Sequence, residues 1–413
     1  MPAKKSRDIR IRMYRVGFGD CFLLTLPGAD KAHHILIDCG VHARGDIKTM
    51  GAVVDDILKE TGGKLDLIVA THAHQDHLSG FGSEAEKFRR SMHVREVWLP
   101  WTEDKSDPDA ARLKTKHLAL AEGLRRQFAA LGGDRFDAVR EAVANLIGNE
   151  PALTLLKSEL GAKVEYRQAD QEIQDAAGIK GLSAHVLGPP KDQDFLARMD
   201  PPDTEKYLRM AGAGAGAATA LAPFPPKWEY DYRGKAPLTE RERKLLEEAA
   251  ASTSERLGFA LDQAINNTSV VLLLRYGGQA MLFAGDAQYG NWQYWVEKDK
   301  AQELLAQVTF YKVAHHGSEN ATPRSALDRM PTQKFVAMLS TQNTPWPSIP
   351  YGKLVDALER QTGERLVRSD SLPVQGAPAG PAAGQLPKGV VKGKLWYDCL
   401  LPVEQIRHAR SHK

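Results

Sequence analysis

The residues best suited to do chemistry stand together in Thr71-His72-Ala73-His74-Gln75-Asp76-His77. Three imidazoles and one carboxylate in so short a stretch form a nitrogen–oxygen donor set that suits Zn, Mn or Fe. His72 and His74 are two apart, so an extended chain points them the same way. Asp76 and His77 lie further on and can face a second ion. Such a set supports hydrolysis: paired divalent ions bring the pKa of a bound water toward neutrality and clamp an electrophile's oxygen as charge develops on it. A polar loop with incidental histidines is the bland alternative, and the density of donors argues against it.

Strand ends must position these groups. Leu65–Ala70, just before the cluster, is short, apolar and β-branched, as a buried strand requires. Met281–Ala284 is another such run and leads into Gly285-Asp286. Val308–Ala314 leads into His315-His316-Gly317-Ser318. Adjacent strand residues point to opposite faces, so both histidines can serve one site only if the strand ends before them, as Gly317 suggests.

Upstream stand Val16-Gly17-Phe18-Gly19-Asp20 and Leu36-Ile37-Asp38-Cys39-Gly40, and Asn266-Asn267-Thr268-Ser269 precedes a strand at Val270–Leu274. With the His72–His77 cluster, Asp286 and His315–Ser318, these occur in an order that resembles the metallo-β-lactamase superfamily. Within it they resemble the competence-type (ComEC-like) branch, in which this domain is appended to a DNA-uptake pore. The resemblance covers roughly residues 8–100 and 180–370. It implies an α/β fold, a four-layer αβ/βα sandwich with helical insertions, and two divalent metal ions, Zn first and Mn second. It gives His72 and His74 to one ion and Asp76 and His77 to the other. Asp286 becomes the carboxylate that bridges them, and His316 completes the second position. Asp76 and His315 take the catalytic roles, His315 as a cleft-facing proton donor or phosphate contact. Asp20 and Asp38 would sit behind metal-bound imidazoles. Ser318 and Asn320 are candidate donors to a substrate oxyanion.

Two departures stand out. Many relatives place a further histidine between the cluster and the bridging aspartate. The candidates here are His93, His117 and His185, none in a loop after a strand, so the His72/His74 ion is expected to be held by fewer ligands. Relatives also often carry a histidine before Pro350, where this chain has Ile349. The branch favours a phosphodiesterase or nuclease acting on DNA or another phosphodiester, with Lys312, Arg324, Arg89, Arg90 and Arg95 as a local basic rim. One alternative is a hydrolase of a small carbonyl substrate, a lactone, thioester or lactam. Another is a metal-holding regulatory or scaffold protein that meets a protein partner through its helical insert.

Composition bounds the rest. The 413 residues read as one elaborated domain, 1–413. A helical insert is expected at about 103–162 and a second, partly flexible one at about 191–264. A Pro/Gly-rich loop with a final strand is expected at about 371–413. A formal charge of +3 excludes a broad basic footprint for nucleic acid. Cys21, Cys39 and Cys399 cannot form a disulfide framework. The charged N-terminus has no apolar signal region, and no apolar run is long enough to span a membrane, so a cytoplasmic protein free of the membrane is expected. Helical periodicity is read at 46–60, 83–90, 107–160, Thr239–Leu257, Trp292–Leu305 and Tyr351–Thr362. Further strands are read at Ile9–Val16, Cys21–Leu26, His34–Ile37, Glu96–Leu99, Val164–Arg167, Ser183–Leu187, Lys334–Leu339 and Val390–Leu401.

Overall fold

The structure, a computed structural model, describes residues 8–130, 140, 143–145, 148–207, 258, 260–372 and 384–403. Its first sheet takes β1 (Asp8–Tyr14), β2 (Cys21–Leu26), β3 (His33–Cys39), β4 (Lys64–Val69), β5 (His93–Pro100) and β6 (Lys163–Arg167) in chain order, and two late strands join its edge. These are β14 (Val390–Lys392) and β15 (Trp396–Pro402), and β15 pairs antiparallel with β1. The second sheet runs from β7 (Gln171–Ile173) through β8 (Ser183–Gly188), β9 (Val271–Tyr276), β10 (Gln279–Phe283), β11 (Phe310–Lys312) and β12 (Val336–Leu339) to β13 (Leu366–Arg368).

Alternation along each strand makes the layers. In β3, Ile35 and Ile37 join an inner core shared with Leu272, Leu274 and Phe283 of the second sheet. Leu36 and Cys39 turn outward onto α1 (Met50–Thr61), where Val53, Val54 and Ile57 are buried. The second sheet turns Leu273, Leu282 and Tyr311 outward onto Trp292, Leu304 and Leu358. Period-two strands faced by helices on both outer sides give the four-layer αβ/βα sandwich expected of the sequence. A buried Arg12 pairs with Asp398 at 2.7 Å and Asp56 at 2.7 Å, tying β15 to the start of the chain.

Several elements differ from their expected bounds. α1 starts at Met50 rather than at 46, and Gly62 ends it in the left-handed region at φ 58°. The charged helix expected at 83–90 is the second of a pair, α2 (Gln75–Ser83) and α3 (Ala85–Ser91). The helix expected over Trp292–Leu305 is two, Tyr289–Val296 and Asp299–Ala306. The late strand read as Val390–Leu401 is the pair β14 and β15. In the first insert, α4 (Pro108–Ala130) and Glu150–Thr154 are helical. The expected break at Gly132-Gly133, the Ala/Gly run 211–220, the helix Thr239–Leu257, the tail and most of 371–388 lie outside the described residues. Among the described residues no helix is long and apolar enough to cross a membrane.

Candidate metal centre

The donors gather where strands of both sheets end. β4 stops at Val69, and Asp38 captures the chain beyond it. Its carboxylate accepts from Thr71 N at 2.7 Å and from Thr71 Oγ1 at 2.8 Å. The same carboxylate lies 2.8 Å from His77 Nδ1, which turns His77 Nε2 inward. The stretch read as a loop becomes helical at Gln75, so Asp76 and His77 occupy the first turn of α2. Gly40 permits that helix to approach: a Cβ there would lie 2.4 Å from the His77 carbonyl carbon and 2.5 Å from its backbone nitrogen.

From the second sheet, β11 ends at Lys312, and His315 and His316 turn away from strand geometry at φ 44° and 49°. His316 Nδ1 donates to Ser340 O at 3.0 Å, leaving Nε2 to face the carboxylates. That nitrogen is 3.2 Å from Asp76 Oδ2 and 3.2 Å from Asp286 Oδ2. His77 Nε2 lies 3.2 Å from Asp286 Oδ2. Asp76, His77, Asp286 and His316 therefore present four buried donors within 4.8 Å of one another. Each imidazole has its outer nitrogen engaged and its inner one turned to the carboxylates, an arrangement that fits a divalent cation. His72 and His74 form an adjacent pair, with His72 Nε2 3.1 Å from His74 Nδ1. Among the described residues no third carboxylate or imidazole joins that pair within the same spacing. His93 is exposed, His117 lines a separate pocket with Lys114, and His185 sits beside Glu172 at 3.6 Å, so none of the three reaches it.

The charges are strongly coupled. Burial pushes the Asp76 carboxyl up, but His77 and His316 outweigh it and hold it well below the carboxylate range. Asp286 is held low in the same way against burial, by His316, His77 and Lys312. Burial pulls His316 down, yet Asp286, Asp76 and Asp20 raise it to about 10. His72 is lowered by burial and by its neighbours His77 and His74, and burial takes His74 to about 4. These shifts fix a sign. An imidazolium whose folded pKa exceeds the unfolded value of about 6.5 stabilises the fold fully below that pH, and the contribution is lost as pH rises through the folded value. The metal-free protein is thus expected to lose stability between about pH 6.5 and pH 10 as His316 deprotonates. Metal affinity should rise over the same interval, because the same rings must shed protons to bind. Thermal unfolding with and without a chelator across that range reads both effects. Metal-free protein no less stable at the alkaline end would contradict the assignment.

The basic rim is not at the cleft. Lys312 is buried beneath the site, donating to Gly285 O at 2.8 Å, paired with Asp20 and 3.4 Å from Asp286. Burial opposes the charge on Lys312, and three carboxylates, Asp20, Asp286 and Asp38, offset its desolvation. Arg89 and Arg90 pair with Glu86, Arg95 with Asp66, and Arg324 with Asp328. Asp20, expected behind an imidazole, is 3.8 Å from His77 Nδ1 and 3.7 Å from His316 Nδ1, while its closest partner is Lys312.

Above the centre lies a cleft of about 270 Å³ whose walls include Phe18, Asn145, Asp262, His315, Trp346 and Ile349. His315 faces it. Ser318 Oγ donates to Asn320 Oδ1 at 2.8 Å, so at 2.7 Å it accepts from His315 Nδ1, and His315 Nε2 accepts from Asn266 at 3.3 Å. The Ser318 hydroxyl is thereby spent within the protein instead of pointing to a substrate oxyanion. Burial lowers the His315 pKa, which favours the neutral ring.

Two groups of residues at this centre carried no motif, a pair of asparagines and one aspartate. Asn145, in the first insert, donates from Nδ2 to Asp76 Oδ1 at 3.1 Å and accepts from Asp76 N at 3.3 Å. Asn149 donates to Ala73 O at 2.8 Å. The only signal was a pair of asparagines one helical turn apart in an otherwise apolar stretch. The second is Asp262, whose carboxyl is pushed well up by burial and then by Asp76 and Asp286.

Residues 14–159 match the family model described as the Metallo-beta-lactamase superfamily. Solved structures similar to the chain include the metallo-beta-lactamase fold protein YhfI from Bacillus subtilis. It has 9% identity and a TM-score of 0.39, covering 88% of this chain and 96% of that one. Igni18, described as a novel metallo hydrolase from the archaeon Ignicoccus hospitalis, has 11% identity and a TM-score of 0.37. It covers 87% of this chain and 94% of that one. No curated protein sequence matches the chain.

Proposed function

We propose that the protein is a metal-dependent hydrolase. The observation that carries this reading is the buried group Asp76, His77, Asp286 and His316, whose imidazoles are oriented from behind by Asp38 and Ser340 O. Divalent ions held there and at His72/His74 would supply an acidified water and stabilise charge developing on the electrophile's oxygen. The chain's own residues do the rest. Asn145 fixes Asp76 so that one carboxylate oxygen is spent on the amide and the other faces His316. His315, neutral and held by Ser318, stands at the cleft wall, where exchanging the longer 3.3 Å contact with Asn266 for the reacting group would free Nε2 to relay a proton. Phe18, Trp346 and Ile349 narrow the cleft and limit water around it.

Substrate class divides into two readings. The order of motifs supports a phosphodiester. A specific observation favours a small carbonyl compound: the described lining of the cleft holds Asp262 and Glu319 but no lysine or arginine. A polyanion such as DNA gains its affinity from cations that neutralise phosphates, and each one absent weakens binding and its salt dependence. A panel of DNA, a simple diester, a lactone and a thioester, assayed with Zn and with Mn, separates the two. Under either reading His316→Ala should cost metal and rate together. His315→Ala should spare metal and slow turnover by about 10²–10⁴-fold. Metal-loaded protein that cleaves none of the four compounds would end the hydrolase reading.

A further inference from the structure

Each ligand imidazole has an outer nitrogen that needs a partner, and three of the four have one. His72 Nδ1 lies 3.1 Å from Thr71 Oγ1, His77 Nδ1 lies 2.8 Å from Asp38, and His316 Nδ1 donates to Ser340 O at 3.0 Å. His74 is the exception. Its Nδ1 faces His72 Nε2 at 3.1 Å, close to the separation of roughly 3.3 Å that two donors 2.0–2.1 Å from one tetrahedral ion would show. Its Nε2 is therefore the outer nitrogen, and among the described residues that buried atom has no hydrogen-bond partner. The facing group is Asp262, whose buried Oδ1 is 3.7 Å away and likewise has no hydrogen-bond partner among the described residues.

We propose that Asp262 is the positioning residue for His74, accepting from its outer nitrogen and so holding Nδ1 on the metal position that His72 shares. This rests on the metal-centre reading above. Two unpartnered buried polar atoms side by side are costly to leave unsatisfied. The gap exceeds a hydrogen bond by less than an ångström, which a small side-chain rotation closes. The local chain is built to present the residue. Residues 260–266 are helical, and Asp262 stands one turn before Asn266, so the two share a face. Asn266 on that face touches His315, and Asp262 on the same face touches His74. The carboxylate does not replace the absent third histidine as a ligand, because an ion on Nδ1 lies across the ring from Oδ1. It compensates by fixing the orientation of a ligand at a position where, among the described residues, two imidazoles stand without a third donor.

The test is a competition titration of Zn against a chromophoric chelator on the purified full chain, with circular dichroism to check folding. Wild type should show a tighter and a weaker binding event. Asp262→Ala should weaken the lesser event by about 10–100-fold and leave the tighter one unchanged. Asp262→Asn keeps an oxygen acceptor in place and should restore the lesser event. Asp262→Leu fills the volume without an acceptor and should match alanine, which guards against a collapsed alanine variant. Wild type that binds no metal would remove the metal centre itself. Wild type with two events, and Asp262 variants that bind as it does, would overturn the role of Asp262 alone. An asparagine variant as weak as the alanine and leucine ones would also overturn it, since direct ligation by the carboxylate would then explain the loss.

Discussion

Asp286→Ala is expected to remove bound metal and abolish hydrolysis while leaving the protein folded. Asp286 Oδ2 stands 3.2 Å from both His77 Nε2 and His316 Nε2, so one carboxylate oxygen is shared by both imidazoles. Its loss leaves two imidazoles and a single carboxylate, Asp76, around the position, so a buried dication loses a ligand and half of the negative charge that offsets its desolvation. The fold should persist because Lys312 keeps its pairing with Asp20, and His77 keeps Asp38 behind it. Metal content, activity and far-ultraviolet circular dichroism of the purified variant check all three parts. An Asp286→Ala protein that retains metal and turnover would show that the carboxylate has been given the wrong role.

Lys312→Met is expected to be the most destabilising single change at the centre. Burial opposes the charge on Lys312, but Asp20 and Asp286 outweigh it and hold the pKa above the usual lysine range. Methionine fills the volume and removes the cation, leaving Asp20 and Asp286 without the ammonium that pairs with both. Breaking a buried pair from one side typically costs about 3–5 kcal/mol. Bound metal would offset part of that, so the loss should be larger after chelation. Urea unfolding of both proteins with and without chelator measures it. A variant within about 1 kcal/mol of wild type in the metal-free state would contradict this role, being no more than an ordinary surface change.

Much of the architecture was legible because the strands are buried on both faces and read as short apolar runs. The donors stand at the ends of β4, β10 and β11, so finding those runs also located His72–His77, Asp286 and His315–His316. What escaped has physical reasons. Lys312 reads as a surface charge in the sequence because nothing local reveals Asp20 and Asp286, which are brought to it by the other sheet and by β10. The start of α2 at Gln75 was hidden because His74 is not a usual capping residue and makes no side-chain cap. The break between Tyr289–Val296 and Asp299–Ala306 falls at Glu297-Lys298, where no glycine or proline marks it. Asn145 and Asp262 reach the centre from segments between the motifs, where a single polar residue has no spacing to distinguish it from a solvated one.

The first insert is expected from sequence either to shape access to the cleft or to serve as solubilising decoration. Asn145 and Asn149 give it a third role, since both hold the metal loop itself. Truncating the insert through Asn145 and Asn149 would disturb Asp76 before it altered any substrate contact.

Elemental analysis of the purified protein decides whether these side chains hold metal. The donor groups predict about one to two equivalents of a transition metal per chain, recovered on adding Zn or Mn after chelation. Protein that carries none and takes up neither ion would contradict the metal centre and the hydrolase reading built on it.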